Sequence, residues 1–366
     1  MSDSVQSVPV RLGPRSYDIH IGSGNLDAVD SFLRSLRRVS RAVVVTDSEV
    51  APLYGQRVSE RLAAAGLPHT LLTVPAGEPS KSPDEAVRLW REMLRAGADR
   101  QSVVIALGGG VVGDLAGFVA AGFARGIPLL QIPTTLLAQV DSSVGGKVGV
   151  NLPEAKNIVG AFWQPIGVLI DTDVLASVPD RHYRAGLAEV VKYGVILDAD
   201  FFEYLEANIE ALNRREPSVL VHVIARCCRL KADVVEQDER EESGLRAVLN
   251  YGHTFGHALE AAASYGTLLH GEAISIGMLC ASRLAERLGR IDAATTARQH
   301  ALLAALGLPV DMPELPAAEL LGHMRHDKKA EHGRLRFILP VRIGQVELVE
   351  VDDEPAILAA MRPPAG

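Results

Sequence analysis

The sequence predicts an α/β N-terminal domain, doubly wound around a mostly parallel sheet, followed by an all-α C-terminal domain. Short β-branched runs alternate with longer amphipathic stretches over roughly the first 150 residues, a pattern typical of βαβ units. From about Arg181 onward, helical periodicity replaces this alternation. The length of 366 residues also favours two domains, because a single core stops growing near ~250–300 residues. We expect domains at 1–178 and 179–366, the second ending in a short hairpin.

The individual elements follow from hydrophobic spacing. In the first domain the predicted strands are 42–46, 70–74, 103–107 and 127–132, and the predicted helices are 50–65 and 83–96. In the second domain the predicted helices are 184–197, 201–212, 218–237, 245–263, 271–288 and 293–306. Two further apolar runs, 335–340 and 346–351, flank Gly344 and predict the hairpin.

Charge and composition exclude several classes of protein. With 37 Lys and Arg against 45 Asp and Glu, the formal net charge is −8, whereas nucleic-acid-binding proteins are usually basic. Glycines and charges interrupt every apolar run before the ~18 residues of a membrane span, so no membrane partner is expected. The N-terminus lacks a basic and apolar secretion signal, which favours a cytoplasmic protein. The three cysteines fit neither a disulfide framework nor a metal motif and are expected to be buried thiols.

A glycine-rich turn follows the predicted strand 103–107. The segment Gly108–Asp114 reads GGGVVGD and precedes an apolar helix, an arrangement that lets the backbone approach a pyrophosphate at a helix N-terminus. The usual fingerprint also needs a carboxylate about 20 residues downstream, but the next acidic residue after Asp114 is Asp141. Asp47, after the first predicted strand, can take that ribose-binding role instead. The alternative is a tight turn that only packs a helix on the sheet.

Other polar residues follow predicted strands at the same edge of the sheet. Glu78 and Lys81 come after the strand 70–74, and Thr134 and Thr135 come after the strand 127–132. Ligands of open α/β sheets bind at the carboxyl ends of the strands. The first domain is therefore predicted to bind a nucleotide.

A set of histidines and one glutamate in the second half has the composition of a metal site. His253 and His257 are four residues apart and share one helix face, His270 precedes another apolar helix, and Glu189 lies on an amphipathic helix. Two imidazoles and a carboxylate form a common catalytic zinc set, which leaves a coordination position open. Spacing alone leaves several choices of ligand, and each histidine can equally be an ordinary core or surface residue.

Basic residues recur beside these motifs although the chain is acidic. Their positions next to glycine turns or on amphipathic helices favour a small anionic substrate, because arginine offers a bidentate fork and lysine a point charge. Scattered surface charge is the alternative. The basic candidates are Arg125, Lys147, Lys156, Lys192, Lys231, Arg246, Lys328 and Lys329, with the amides of Asn157 and Asn250 beside them.

Together these segments closely resemble the 3-dehydroquinate synthase family. The resemblance runs from about Asp47 to Gly344 with motifs in matching order. The motifs are GGGVVGDLAGF, RGIPLLQIPTTLLAQVDSSVGGKVGVN, KNIVGAFWQP, RAGLAEVVKYG, LNYGHTFGHALE, HGEAISIGM and the DKK segment.

The resemblance implies an NAD-binding N-terminal domain, a C-terminal domain that holds a divalent metal, and an active site between them. The metal is usually zinc, with cobalt as a possible substitute, and its implied ligands are Glu189, His253 and His270. The implied NAD site comprises Asp47, Glu78, Lys81, Gly109, Gly110, Val111, Val112, Gly113, Asp114, Thr134, Thr135, Asp141, Lys147, Lys156 and Ser177. The implied catalytic and substrate-binding residues are His257, Arg125, Lys147, Asn157, Lys192, Lys231, Arg246, Asn250 and one or both of Lys328 and Lys329.

The implied activity is that of a carbon–oxygen lyase of the shikimate pathway, which leads to chorismate and the aromatic amino acids. It converts 3-deoxy-D-arabino-heptulosonate 7-phosphate to 3-dehydroquinate and phosphate. The steps are transient oxidation by NAD, β-elimination of phosphate, re-reduction and intramolecular aldol closure. Members of the family are commonly homodimers, so a second copy is the expected protein partner.

Two other classes of enzyme share parts of this pattern. Related sugar-phosphate cyclases, such as 2-deoxy-scyllo-inosose and valiolone-type synthases, use NAD and a metal on other substrates. The segment DSSVGGK with Asn250 and His257 favours the dehydroquinate branch. Metal-dependent glycerol or alcohol dehydrogenases have a similar two-domain scaffold but catalyse net oxidation. A non-catalytic NAD-binding protein is the remaining alternative.

Overall fold

The computed structural model describes residues 5–35, 39–263, 267–326 and 335–362. Its internal contacts divide the chain into two compact units. The first unit runs to Val178 and also includes Leu220–Arg240. The second unit comprises Pro179–Val219 and the chain from Glu241 onward. The helix predicted at 218–237 therefore belongs almost entirely with the first unit, although we placed it in the second domain.

Seven strands form one sheet in the first unit, in the order β1-β2-β9-β6-β5-β3-β4. Every neighbouring pair is parallel except β1 with β2. Two further pairs, β7 with β8 and β10 with β11, form antiparallel hairpins. The strands are β1 Gln6–Val10, β2 Tyr17–Gly22, β3 Ala42–Asp47, β4 His69–Val74, β5 Val103–Gly108, β6 Leu129–Pro133, β7 Lys147–Leu152, β8 Ala155–Phe162, β9 Gly167–Asp171, β10 Leu335–Arg342 and β11 Gln345–Val351.

Helices cover both faces of the large sheet, which confirms the doubly wound fold. Val43 and Val45 of β3 belong to one apolar core together with α3 and α4. Val44, whose side chain points to the opposite face, belongs to a second core with α1 and α2. The helices are α1 Val29–Ser35, α2 Gln56–Ala64, α3 Pro83–Arg95, α4 Gly110–Gly122, α5 Asp180–Leu197, α6 Ala199–Ala207, α7 Ile209–Asn213, α8 Pro217–Gln237, α9 His253–Ala262, α10 His270–Arg287, α11 Ala293–Ala305, α12 Ala317–His326 and α13 Glu354–Ala360.

The four strands predicted in the first domain are present, but the prediction missed β1, β2, β7, β8 and β9. Most β8 side chains are exposed, so no alternation of apolar and polar residues marks this strand. β9 is buried along its whole length, and a short apolar run of that kind has no distinctive period. Packing against the rest of the sheet therefore decides these strands.

The second unit is mainly helical and contains the predicted hairpin of β10 and β11. The predicted helix 201–212 is divided at Asn208 into α6 and α7. The predicted helix 245–263 is also wrong as one element, because a 3₁₀ segment Leu245–Asn250 precedes α9. The break lies at Gly252, whose φ of +79° is incompatible with a continuous α-helix.

All three cysteines are buried thiols, as expected from the sequence. Burial raises the pKa of Cys228 to about 12, and the same cause raises the pKa of Cys280 to about 12. Among the described residues, no helix combines the length and apolar character needed to cross a bilayer.

Candidate metal and dinucleotide sites

The carboxyl ends of β3 and β5 form the topological switch point of the sheet. β3 lies between β4 and β5. The chain passes from β3 to β4 on one side and then, through α3, to β5 on the other side. The loops after β3 and β5 thus diverge and leave a crevice at this edge, where open α/β sheets bind ligands. Asp47 ends β3, and the glycine turn begins at Gly108 at the end of β5.

The glycine turn brings backbone, without side chains, to this crevice. α4 begins at Gly110, and the first N–H groups of a helix have no intrahelical acceptor. A Cβ atom at Gly109 would lie 3.2 Å from Thr135 Cγ2, and one at Gly110 would lie 3.1 Å from Ser142 Oγ. The missing side chains let Thr135 and Ser142 lie close to the start of α4. We call this glycine turn with the start of α4 the glycine cradle, where N–H groups and the helix dipole favour a phosphate.

A polar cluster surrounds Lys81 beside this turn. The Lys81 ammonium donates hydrogen bonds to Asp114 of α4 and to the side-chain carbonyl of Asn157 on β8. Asn151 donates to Glu78 Oε1 at 2.8 Å and accepts from the Asn157 N–H at 2.8 Å. Burial raises the pKa of the Asp114 carboxyl, and the Lys81 ammonium opposes this rise. The structure thus brings four predicted site residues, Glu78, Lys81, Asp114 and Asn157, into one network, which the β7–β8 hairpin completes.

A second ion pair joins two predicted site residues near the same sheet edge. Lys231 of α8, 6% exposed, donates to the carbonyl and to Oδ1 of Asp141, both at 2.7 Å. Asp141 lies in the short helical segment that follows Thr134 and Thr135. Lys231 and Asp141 are therefore adjacent, although the sequence analysis assigns them to different ligands.

Ser177, another residue of the predicted NAD site, accepts a hydrogen bond from the Tyr54 hydroxyl at 2.8 Å.

Glu189, His253 and His270 converge in the second unit. Glu189 Oε1 lies 3.7 Å from His270 Nε2 and 3.9 Å from His253 Nε2. One ligand atom from each of these residues fits within a 4.8 Å cluster. Zinc with bonds of about 2.0–2.1 Å in tetrahedral geometry requires ligand atoms about 3.4 Å apart. The two separations from Glu189 exceed this by 0.3 and 0.5 Å, and the ligand atoms of all three residues lie within 4.8 Å of one another, so the group could hold a zinc-sized ion.

Contacts at Nδ1 of His253 and His270 fix which ring nitrogen faces Glu189. His253 Nδ1 lies 3.1 Å from the Tyr251 carbonyl oxygen, and His270 Nδ1 lies 3.2 Å from Glu260 Oε2. Carbonyl and carboxylate oxygens only accept hydrogen bonds, so each Nδ1 carries the donated proton. A neutral imidazole then has its lone pair on Nε2, the atom that faces Glu189. Lone pairs from three side chains meet at one point, which is the chemistry of a cation site.

Glycines on α10 permit the three helices to approach one another. A Cβ atom at Gly271 would lie 1.8 Å from the Ala185 carbonyl oxygen of α5. A Cβ atom at Gly277 would lie 2.2 Å from the Gly252 carbonyl oxygen, immediately before α9. Neither position has room for a side chain. α10 therefore contacts the backbone on both sides, and His270 at its first position reaches Glu189.

Charged neighbours surround the cluster. Lys192, one turn after Glu189 on α5, forms an ion pair with its carboxylate, and both side chains are at most 2% exposed. Burial disfavours the His270 imidazolium, but the negative charges of the Glu189 and Glu260 carboxylates outweigh that effect and raise the pKa of His270 to about 9. A cation at this position, whether proton or metal, thus offsets the negative charge of two carboxylates.

The remaining predicted residues are more dispersed. Arg246 is 3% exposed, and its Nε lies 3.5 Å from Glu241 Oε1. Arg125, Lys147 and Lys156 are exposed. Asn250 ends the 3₁₀ segment that precedes α9. The ring centroids of His257 and His253 are 5.3 Å apart, so His257 borders the candidate metal site. Lys328 and Lys329 lie outside the described residues.

The prediction missed Glu260, which contacts His270. Its signal was the spacing in HTFGHALE, where Glu260 follows His257 by three residues and His253 by seven. These intervals put all three side chains on one helix face.

The first unit has a glycine cradle at the switch point of a doubly wound sheet, and the helical unit has a candidate metal site of histidines and a carboxylate. These features are typical of two-domain enzymes that use a dinucleotide and a divalent metal. Comparison with known proteins identifies the group among them. Residues 71–185 match the family model for the 3-dehydroquinate synthase N-terminal region, and residues 186–330 match the model for the C-terminal region. The chain belongs to the 3-dehydroquinate synthase family.

Full-length relatives agree with these matches. The chain is 50% identical to the 3-dehydroquinate synthase of Desulforamulus reducens over 97% of this chain and 99% of that protein. It is 52% identical to the 3-dehydroquinate synthase of Acidithiobacillus ferrooxidans over 93% of each chain. Among other relatives is the 3-dehydroquinate synthase of Rhodopirellula baltica, 47% identical over 99% of this chain and 98% of that protein.

Solved structures of related cyclases share the fold. A 2-deoxy-scyllo-inosose synthase with carbaglucose-6-phosphate, NAD+ and Co²⁺ has a TM-score of 0.89 and 29% identity, covering 98% of this chain and 99% of that one. The 2-epi-5-epi-valiolone synthase of Streptomyces hygroscopicus, with NAD+ and Zn²⁺, has a TM-score of 0.87 and 30% identity, covering 99% and 98%. A probable glycerol dehydrogenase from Sinorhizobium meliloti, with a TM-score of 0.65 and 16% identity over 94% and 95%, shows the shared fold alone.

The backbone contact at Gly271 gives a testable prediction. Gly271→Ala places a Cβ atom against the Ala185 carbonyl, so α10 must move away from α5 and His270 from Glu189. We expect the free energy of unfolding to fall by about 1–3 kcal/mol and Zn²⁺ affinity to fall at least about 10-fold. Thermal melts and competition with a chelating indicator measure both effects.

Gly322→Ala is the matched control for this substitution. Gly322 lies within α12, where a Cβ atom would meet no other described part of the chain within 4 Å. Alanine should leave stability unchanged or raise it there, because alanine is the better helix former. Wild-type zinc affinity and stability in Gly271→Ala would contradict the close-packing explanation.

Proposed function

We propose that this chain catalyses the 3-dehydroquinate synthase reaction, which converts 3-deoxy-D-arabino-heptulosonate 7-phosphate to 3-dehydroquinate and phosphate. The observation that carries the proposal is the convergence of Glu189, His253 and His270 within 4.8 Å. It occurs in a chain about 50% identical, over nearly its full length, to relatives with that activity.

The first unit is proposed to hold the NAD. Asp47 ends β3 beside the glycine turn, and we propose that its carboxylate accepts hydrogen bonds from ribose hydroxyls. The N–H groups of Gly109–Val112, at the start of α4, are proposed to bind the pyrophosphate. Bound NAD supplies reversible oxidation of a substrate hydroxyl, and a bound divalent metal supplies Lewis-acid polarisation of substrate oxygens. The proposed NAD site also includes Glu78, Lys81, Gly113, Asp114, Thr134, Thr135, Asp141, Lys147, Lys156 and Ser177.

The second unit is proposed to hold the metal through Glu189, His253 and His270. The hydrogen bonds at both Nδ1 atoms keep the two Nε2 lone pairs directed at one point. The Lys192 ammonium balances part of the carboxylate charge. His257, whose ring lies 6.2 Å from that of His270, is proposed to contact the substrate rather than the metal.

Cationic side chains are proposed to orient the anionic ends of the substrate. Arg125, Lys147 and Lys192 are the candidates for the phosphate, and Lys231 and Arg246 are the candidates for the carboxylate and ring hydroxyls. Lys231 and Arg246 are buried, with 6% and 3% exposure, so their charges are less screened than surface charges. Asn157, Asn250 and Lys328 complete the proposed substrate-binding residues.

A phosphate-release assay with the heptulosonate phosphate, NAD and Zn²⁺ tests the proposed function. We expect phosphate release with no lasting absorbance at 340 nm, because the reduced cofactor is reoxidised within each turnover. Excess chelator should abolish release, and added Zn²⁺ should restore it. His270→Ala should lower turnover by at least about 100-fold through loss of metal. His300→Ala, on α11, is the control and should retain turnover.

The same assay separates the alternatives. Release of phosphate from a hexose phosphate, but not from the heptulosonate phosphate, would assign the chain to another cyclase branch. Accumulation of NADH with an alcohol or glycerol would assign it to the dehydrogenases. Absence of phosphate release from the heptulosonate phosphate in the presence of NAD and Zn²⁺ would refute the proposed reaction.

We also propose a cytoplasmic homodimer that binds neither nucleic acid nor membranes. The net charge of −8 supports the absence of a nucleic-acid partner. The three buried cysteines, which form no disulfide, support a cytoplasmic location. The exposed strand β8 supports the dimer, since Ile158 and Phe162 are 41% and 40% exposed and an outer strand can pair with another chain.

Light scattering coupled to size-exclusion chromatography tests the oligomeric state. We expect the mass of two chains for the wild type and of one chain for Phe162→Glu, because a charge would have to be buried in the contact. Leu94→Glu is the control, since Leu94 is exposed on α3 and lies outside the hairpin. A monomeric wild type would refute the dimer, and a dimeric Phe162→Glu would refute this surface.

A further inference from the structure

Glu260 occupies a position behind one of the proposed metal ligands. It lies in the last turn of α9, and its side chain is only 11% exposed. Its Oε2 atom lies 3.2 Å from His270 Nδ1, on the side of the ring opposite Glu189. One imidazole therefore links two carboxylates through its two nitrogens.

Two distances indicate which nitrogen of the His270 ring carries the proton and which carries the lone pair. The 3.2 Å separation at Nδ1 is within hydrogen-bond range, whereas the 3.7 Å separation between Nε2 and Glu189 Oε1 is beyond it. In the neutral ring, the proton is accordingly on Nδ1 and is donated to Glu260. Nε2 retains the lone pair toward Glu189. The carboxylate thus fixes both the ring orientation and the tautomer that a metal needs.

We propose that Glu260 is a positioning residue that orients His270 for metal binding and makes its Nε2 a stronger donor. The inference rests on the proposed metal site. Its counterpart at His253 is the neutral Tyr251 carbonyl, so the two histidines receive unequal support. Removal of a carboxylate behind a metal-binding histidine typically costs 10–100-fold in metal affinity.

The tyrosine that supplies the other acceptor is itself held rigidly. The Tyr251 hydroxyl donates to Gln299 Oε1 at 2.7 Å, and the Gln299 amide donates to Ser282 Oγ at 3.1 Å. These buried contacts anchor the backbone at His253. Glu260 instead acts on the His270 ring directly, through the contact of its Oε2 with Nδ1.

A second arrangement of the same residues leads to a different expectation. His257, Glu260 and His270 also have ligand atoms within 4.8 Å of one another, so Glu260 could be a direct ligand in this set. That arrangement requires the lone pair on His270 Nδ1. The proton would then be on Nε2, which has no carboxylate oxygen of Glu189 within hydrogen-bond distance. The positions of the two carboxylates therefore favour Glu260 as the outer partner.

Metal titration of the full chain, stripped of metal and supplied with NAD, tests the proposal. Zn²⁺ affinity is measured by competition with a chelating indicator, and Co²⁺ is used as a spectroscopic probe of ligand geometry. We expect Glu260→Ala to bind Zn²⁺ about 10–100-fold more weakly and to change the visible Co²⁺ absorption. Glu260→Gln keeps an acceptor oxygen and should recover part of the affinity. Glu203→Gln, an exposed position on α6, should bind like the wild type.

Each outcome has a distinct meaning. Wild-type Zn²⁺ affinity and Co²⁺ spectrum in Glu260→Ala would overturn the positioning role. Loss of zinc in His257→Ala, with retention in Glu189→Ala, would overturn it in favour of direct ligation. Failure of the wild type to bind zinc would refute the proposed metal site itself. Circular dichroism of Glu260→Ala and Glu260→Gln checks that both variants are folded.

Discussion

The contact of α10 with backbone on two sides is the constraint on which the convergence of Glu189, His253 and His270 depends. The three converging side chains come from three helices, so their separation is set by how closely those helices pack. Gly271 and Gly277 remove the Cβ atoms that would otherwise meet the carbonyls of Ala185 and Gly252. The packing therefore fixes the positions of the three proposed ligands, and such preorganisation strengthens a functional site.

Glycine also matters at the sheet edge of the first unit, where we propose that NAD binds. At Gly109 and Gly110, the missing side chains let the start of α4 lie close to Thr135 and Ser142. The N–H groups at this helix N-terminus favour a phosphate. Lys81 then joins α4 to β8 through Asp114 and Asn157. The sheet supplies a rigid edge, and the added hairpin supplies polar groups that a simple doubly wound domain lacks.

Much of this arrangement was predictable because its signals are local. The β-branched runs, the glycine turn and the spacing of His253 and His257 each depend on a few neighbouring residues. Long-range packing determines the rest. β8 has no apolar alternation, and the break at Gly252 reflects contact with α10. The contact between Glu260 and His270 could not be predicted, because the fold brings these two residues together. The helical spacing of Glu260 from His253 was visible in the sequence.

The central claim is that one imidazole from each of α9 and α10 and a carboxylate from α5 bind the metal. X-ray absorption at the zinc edge of the reconstituted, full-length protein measures this most directly. The structure predicts nearest neighbours of nitrogen and oxygen at about 2.0–2.1 Å, with multiple scattering from two imidazole rings. Sulfur at about 2.3 Å, or a spectrum without imidazole scattering, would contradict the claim.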